Sequence, residues 1–331
     1  MLSPQFIDKL WYKGHHLSWF LLPFSWLYAL FMMTRRLAYA AGLIASQALP
    51  VPVIVVGNLT AGGTGKTPLI IWLTGYFTTK GYRPGIVSRG YGGSARQWPQ
   101  QVRPDSDPAV VGDEPVLIAQ RTRRPVAISP NRLEAARALL QHTDCDIILC
   151  DDGLQHLALS RDIEIVVIDG ERQFGNGRCL PAGPLREPRG RLRSVDMVVS
   201  NGHEGKGQYL MEYSPLPLTS LAEGQQKTAG LEQLAGKKVH AVAGIGNPNR
   251  FFSQLRHAGI DIVRHVFPDH HAFQPQDLVF DDELPVVMTE KDAVKCRKFA
   301  TRNMWYLPVA AEMSNAFEHR LSSLMKNIED G

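Results

Sequence analysis

The chain is poor in cysteine. Its 331 residues hold four, Cys145, Cys150, Cys179 and Cys296, and no two form a C-x-x-C pair. That excludes a disulfide framework and leaves a zinc ribbon or dithiol redox motif without support; four reduced thiols in a cytosolic protein is the reading. No segment repeats at a fixed period, which excludes a solenoid or propeller. Charged residues make up 21% against 44% hydrophobic, so a disordered chain is excluded as well. At this length one core is unusual and two domains are the default. The net charge of +4 is small but unevenly placed: in residues 1–50, Lys9, Lys13, Arg35 and Arg36 face Asp8 alone.

The stretch "LSWFLLPFSWLYALFMMT" (17–34) lacks charge altogether. Its length reaches the threshold for a membrane-spanning helix. Pro23 interrupts it, Ser18 and Ser25 dilute it, and Trp11, Trp19, Trp26, Tyr12 and Tyr28 are types that favour the headgroup zone. A signal peptide is a further option, since lysines precede the run and "AYA" follows, but Arg35 and Arg36 directly after it oppose export. A buried core helix is the plainer alternative, though such helices are seldom this rich in tryptophan between basic flanks. We read residues 1–40 as a helix associated with the cytoplasmic face of a membrane, lying in it or dipping into it, with its basic flanks toward anionic lipid.

From residue 51 apolar runs alternate with helix-length segments. "VPVIVVGN" (51–58), "GIVSRG" (85–90), "PVAIS" (125–129), "DIILCDDG" (146–153), "IEIVVIDG" (163–170) and "DMVVSNG" (196–202) read as strands; 66–81, 113–122 and 130–143 read as helices. Alternation of this kind predicts a mainly parallel sheet covered on both faces, here over residues 41–207. A charge-poor, proline-containing stretch follows, and a linker is expected over 208–230. Strand patterns resume at "KKVHAVAGIG" (237–246) and run through "MWYLPVAA" (304–311), which predicts a smaller α/β domain over 231–331.

"VVGNLTAGGTGKTPLI" (55–70) sets a glycine turn between the first strand and the first helix of that set. Glycines let several N–H groups face inward, the helix offers its positive end, Lys66 adds a movable charge and the Thr67 hydroxyl can hold Mg²⁺. Residues Thr60, Ala61, Gly62, Gly63, Thr64, Gly65, Lys66 and Thr67 therefore form an expected triphosphate site. Thr60 stands where the strict G-x-x-x-x-G-K-[ST] pattern has glycine, so the turn is of the deviant G-G-x-G-K-T form. Asp151 and Asp152 close an apolar strand, where parallel sheets gather ligands. Adjacent strand residues point to opposite faces, so one of the two is expected at the metal and the other as an orienter or water-mediated partner.

Asp113 in "VGDEP" suits either a helix N-cap or a proton acceptor. In "FPDHHAF" (267–273), Asp269 can tune a neighbouring histidine, His270 or His271; a capping aspartate with surface histidines is the bland alternative. "RCLPAGPLREPRGRLR" (178–193) holds five arginines against Glu187 alone: a solvated basic loop, or a lip for phosphate or an acidic headgroup. No nucleic-acid motif is present and none of the aromatics interleaves with these arginines, so no nucleic-acid partner is inferred, nor an obligate protein partner.

Taken together, "VGNLTAGGTGKTP", "SRGYGG", "GDEP", "DDGLQH", "PAGPLREP", "FPDHHAF" and "TEKDAVKC" resemble the tetraacyldisaccharide 4'-kinase family across nearly the whole chain. The resemblance implies a P-loop NTPase-type α/β fold, a smaller α/β domain joined through a two-stranded connection, and an N-terminal membrane-associating helix. It implies transfer of the γ-phosphate of ATP, with Mg²⁺, to the 4' hydroxyl of a lipid A disaccharide precursor at the cytoplasmic side of the bacterial inner membrane, forming lipid IVA. By matching motif, Lys66 and Thr67 would bind phosphates and metal, Asp151 and Asp152 would be the metal-linked pair, and Arg186 and Glu187 would sit near the phosphates. Asp113 would be the general base, tuned by His270 beside Asp269, with the smaller domain closing over the nucleotide. "TEKD" (289–292) is superficially like the N-K-x-D guanine signature, but Lys291 directly precedes Asp292, so GTP is not inferred. The rival readings are a deviant P-loop GTPase or metallochaperone and a soluble small-molecule kinase or ligase.

Overall fold

The computed structural model describes residues 4–222 and 227–330. Residues 1–3, 223–226 and 331, which fall within the expected segments 1–40, 208–230 and 231–331, lie outside the described residues.

The chain opens with helices α1 (Pro4–Tyr12), α2 (Leu17–Phe20) and α3 (Leu22–Ala40). The alternating set follows: β1 (Val53–Gly57), α4 (Lys66–Thr79), β2 (Pro84–Ser88), β3 (Gln100–Val102), α5 (Pro108–Val111), α6 (Asp113–Thr122), β4 (Val126–Ile128), α7 (Arg132–His142), β5 (Ile147–Asp151), β6 (Ile163–Asp169), β7 (Met197–Asn201) and β8 (Tyr209–Pro215). Then come β9 (Leu218–Ser220), β10 (Thr228–Ala229), β11 (Lys238–Ala243), α8 (Pro248–His257), β12 (Asp261–Val266), β13 (Val286–Thr289), α9 (Glu290–Cys296) and β14 (Met304–Leu307). The last elements are β15 (Val309–Met313) and α10 (Asn315–Glu329).

Two sheets result. One runs β15-β8-β7-β6-β1-β5-β2-β4-β3, the other β10-β9-β14-β13-β11-β12. The central strands β1, β5 and β6 pair in parallel and are buried along their length, as their unbroken apolar runs require. The pleat sorts their side chains. Ile54 and Val56 join Leu69, Leu73 and Ile118 on one face, while Val53 and Val55 meet Leu133, Ala136 and Leu139 on the other. Helices thus cover both faces, and the C-terminal edges of β1 and β5 are left to carry chemistry.

The stretch 208–230, expected as a two-stranded linker, carries strands: β8 extends the large sheet, and β9 joins the small one. One expectation changes. The run 304–311, read as part of the smaller domain, is divided at Pro308. β14 stays in the small sheet, whereas β15 crosses back to pair antiparallel with β8 in the large one. Its helix α10 buries Phe317, Leu321 and Met325 in the large sheet's core. A single proline between two short apolar runs hides a change of sheet.

The N-terminal helices overturn the core-helix alternative. Phe20 is 77% and Trp26 67% exposed, with Phe24, Leu27, Leu30 and Phe31 also outside. Leu10 is buried and Tyr28 and Ala29 pack on the core, but the buried residues of α2 and α3 are serines. Ser25, only 3% exposed, donates to the Cys179 carbonyl at 2.8 Å and accepts from Ala182 N at 2.9 Å; Ser18 accepts from Arg178 Nη1 at 2.9 Å. Among the described residues no helix is long and apolar enough to cross a membrane.

Candidate active site

The glycine turn leaves β1 and enters α4, with Gly65 as N-cap at φ 99°. A Cβ there would fall 2.4 Å from Asn201 Nδ2, so the positive φ and the close approach both demand glycine. Asn58, fully buried at the end of β1, holds the loop's shape: its Nδ2 donates to Thr60 O at 2.8 Å and to Gly62 O at 3.2 Å. From outside, "PAGPLREP" pins it. Ala61 N donates to Pro184 O at 2.7 Å and Arg186 N to Leu59 O at 2.6 Å. Nothing lies within 4 Å of where a Cβ would stand at Gly62 or Gly63, which leaves an open cradle.

Lys66 is buried and donates to Asn58 Oδ1 at 3.2 Å, and it lies 3.3 Å from Asp152 Oδ1. Arg186 Nη1 donates to the same carboxylate at 3.0 and 3.2 Å. Burial pushes the Asp152 carboxyl up, but Lys66 and Arg186 outweigh it and hold it well below the usual range. Asp152 sits at φ 49°, so it turns away from the strand line of Asp151. Asp151 accepts from Ser88 Oγ at 3.1 Å through Oδ2; its Oδ1 is buried without a partner. Burial first, then the Glu114 and Asp152 charges, raise its carboxyl. Thr64 Oγ1 is likewise buried and unpartnered. Glu187 accepts from Gln155 Nε2 at 2.8 Å and so braces the loop that holds Asp152.

An acceptor oxygen orphaned beside a lysine, a free hydroxyl and an open glycine cradle is the donor set of a hydrated magnesium and a phosphate chain. Among the described residues no three His, Cys, Asp or Glu side chains gather as a metal site. Mg²⁺ at a triphosphate needs only one or two protein ligands, so the set present fits it.

The second sheet faces this turn. One cleft is lined by Gly63, Lys66 and Thr67 on one side and by Gly246, Asp269 and Lys291 on the other. A Cβ at Gly246 would stand 3.1 Å from Gly63 N, so the two loops already touch. Asp113 is the first residue of α6, not its N-cap; that place belongs to Gly112 at φ 94°. The cap alternative for Asp113 therefore falls, and its side chain is free to turn inward, where it is 5% exposed. His270 Nδ1 lies 3.1 and 3.2 Å from the two Asp113 oxygens. His271 turns the other way, meeting Asp277 Oδ2 at 2.9 Å and stacking on Phe267. Burial raises the Asp113 carboxyl, yet the His270 hydrogen bond with the Lys291 and Lys295 charges brings it down to about 2. Burial lowers His270, but the bond to Asp113 wins and its pKa ends above the ordinary value. His270 holds φ 59°, a left-handed backbone that histidine rarely adopts and that concentrates at functional sites.

Sequence reasoning missed several partners. Asn201, at the end of β7, donates to Thr64 O at 3.0 Å and to Tyr213 Oη at 2.9 Å, and Arg250 of α8 donates to its side-chain oxygen. An asparagine at the end of an apolar strand was the available signal. Lys291, in the segment superficially like a guanine motif, has its ammonium 2.8 Å from Glu114 Oε1.

A phosphate cradle on a parallel sheet, an acid pair at the next strand and a carboxylate–imidazole pair bridging the two sheets define a P-loop phosphotransferase. The family model described as tetraacyldisaccharide-1-P 4'-kinase matches residues 17–326. The chain belongs to that family. It is 52% identical over 320 residues to the tetraacyldisaccharide 4'-kinase of Nitrosococcus oceani, covering 97% of this chain and 94% of the relative. It is 47% identical to that of Hahella chejuensis, covering 98% and 99%. The crystal structure of LpxK from Aquifex aeolicus in complex with ATP superposes with a TM-score of 0.79 at 28% identity, covering 94% of this chain and 99% of that one.

Proposed function

We infer that this chain is an ATP-dependent tetraacyldisaccharide 4'-kinase of lipid A biosynthesis, phosphorylating the 4' hydroxyl of a tetraacylated disaccharide 1-phosphate to give lipid IVA. The observation that carries the reading is the single cleft in which the glycine cradle with Lys66 faces Asp269 and Lys291, the neighbours of His270.

The residues divide the work as follows. Backbone N–H groups of Gly62 to Lys66 cradle phosphate oxygens, and Lys66, on leaving Asp152, neutralises charge on the transferred group. Thr67 and Asp151 would hold the metal, a reading supported by the orphaned Asp151 Oδ1; Asp152, occupied by Lys66 and Arg186, orients the lysine. Magnesium, when bound, supplies charge neutralisation at the phosphate oxygens. Asp113 orients the sugar hydroxyl and accepts its proton. A carboxylate near 2 is charged across the working range but a weak base, which suits a loose transition state where positioning matters more than early proton removal. His270 holds that carboxylate from the other sheet, and Asp269 fixes the His270 backbone through a 3.1 Å bond.

The two sheets act as two units that close on the nucleotide and exclude water. The inverted N-terminal helices favour placement at the cytoplasmic face of the inner membrane. Burying one large apolar side chain contributes about 1.5–3 kcal/mol, and this face offers several to an apolar medium. The acyl chains would remain in that medium while the sugar enters the cleft.

The test is direct. Purified protein, radiolabelled ATP, magnesium and a tetraacyldisaccharide 1-phosphate should yield a bisphosphorylated lipid. No labelled lipid from folded protein that binds ATP would overturn the assignment.

A further inference from the structure

Lys291 stands at the first turn of α9, in the motif "TEKDAVKC", where no nucleotide-base role was found for it. Its ammonium reaches three groups: Glu114 Oε1 at 2.8 Å, Asp269 Oδ1 at 3.3 Å and His270 Nε2 at 3.4 Å. Glu114 belongs to the large sheet's helix α6, and the other two to the second sheet's loop. The neighbouring Glu290 makes the same crossing, accepting from Arg121 Nη1 at 2.7 and 3.0 Å. Lys291 is therefore fixed in place beside the Asp113–His270 pair.

An ammonium has three donors and no acceptor. Its contact with Nε2 can only be made to the ring nitrogen's lone pair. The proton of a neutral ring must then sit on Nδ1, which faces both Asp113 oxygens. The opposite tautomer would set an N–H against an ammonium and a bare nitrogen against a carboxylate, two repulsive contacts in place of two attractive ones.

We propose that Lys291 is a positioning residue that fixes the tautomer of the neutral His270 ring, so that Nδ1–H points at Asp113 and Nε2 takes a second proton less readily than it would without the ammonium. This rests on the assignment of Asp113 and His270 to the transfer step. The groups that face the ring are Asp113 from α6, Asp269 from its own loop, Lys291 from α9, and Tyr91, whose ring meets it edge-on at 5.1 Å; Glu114 of α6 meets the Lys291 ammonium instead. Lys295 acts one contact further out, 3.8 Å from Asp113 Oδ2 and 2.8 Å from Asp292 Oδ1. Of these, Lys291 is the cation that touches the ring. Burial works against its charge, but Glu114, Asp113 and Asp269 overcome it and keep it protonated, while its charge draws the His270 pKa down against the pull of Asp113 and Asp269.

The experiment is a pH–rate profile of the full chain for the unsubstituted protein, Lys291→Gln and Lys291→Arg, with ring ¹⁵N NMR of His270 in the unsubstituted protein. Removing the adjacent cation should move the acidic limb of kcat upward by about one pH unit, so that turnover on that limb falls about tenfold and recovers at high pH. KM for ATP should stay within about twofold, and Lys291→Arg should return the limb to its original place. The ring should show a protonated Nδ1 and a bare Nε2. An unmoved limb in Lys291→Gln, an equal loss at every pH, or a protonated Nε2 in the neutral ring would each overturn the proposal. Should Lys291→Gln not fold, the NMR result on the unsubstituted protein decides. His270→Ala separates this from the parent reading: a normal rate there rejects the dyad itself, whereas a lost rate with an unmoved Lys291→Gln limb rejects only the role of Lys291.

Discussion

His270 Nδ1 lies 3.1 Å from Asp113 Oδ2, although 157 residues of chain separate them and they belong to different sheets. The pair exists only when both sheets meet, so the proton handling proposed for it depends on how the two sheets are set against each other.

Removal of Asp113 should therefore cost rate without costing nucleotide. Proton handling by one side chain is worth about 10²–10⁴-fold. Asp113→Ala should lower kcat within that range and leave ATP affinity, read by calorimetry, within about threefold. A near-normal kcat would remove Asp113 from the mechanism.

Lys66→Ala should behave differently. It deletes the cation that Asp152 orients and that meets the phosphates, so both ATP affinity and kcat should fall. The fold should survive, since Lys66 packs against polar groups at the mouth of the sheet; an unchanged circular dichroism spectrum with an affinity like the parent's would refute the role.

The dyad also makes stability depend on pH. The folded His270 value is raised above 6.5, so its contribution is fully present below about 6.5 and is lost as pH rises through the folded value. Asp113 is depressed from 3.8 to about 2, so its contribution is present above about 3.8 and is lost as pH falls through about 2. Urea midpoints of the parent and His270→Gln should differ more at pH 5.5 than at pH 9. An equal gap at both would show that the ring gains no proton-linked stability.

Truncation before residue 41 should abolish binding to anionic lipid vesicles. Because the apolar residues of α3 point away from the protein, replacing Trp26 and Phe31 by serine should weaken vesicle binding while leaving the thermal midpoint within about 2 °C, as surface changes do. Unchanged partitioning would refute the membrane role.

Much of this was readable in the residues, for physical reasons. The β-branched runs of β1, β5 and β6 must be buried on both faces, and the G-G-x-G-K-T turn has few uses besides phosphate. What stayed hidden was tertiary. "DDG" placed two carboxylates together, but the left-handed turn at Asp152, which sends one to Lys66 and Arg186 and leaves the other with Ser88 and one unpartnered oxygen, shows only in the fold. "DHH" offered two histidines, and only packing against Phe267 and Asp277 turns His271 aside. Lys291 looked like a failed base-recognition motif because its partners, Glu114 and His270, lie far off in sequence.

The return of β15 beside β8 changes how the enzyme must be pictured as a machine. The smaller unit is an insertion, leaving the main body after one strand and rejoining it through that strand's antiparallel neighbour. Both crossings sit side by side on one edge, like two pins on a door frame, and we propose that they confine any opening to a swing about a single line. A lone tether would let the far half wander; on this proposal, twin tethers would bring the imidazole back to the same carboxylate each time the units close.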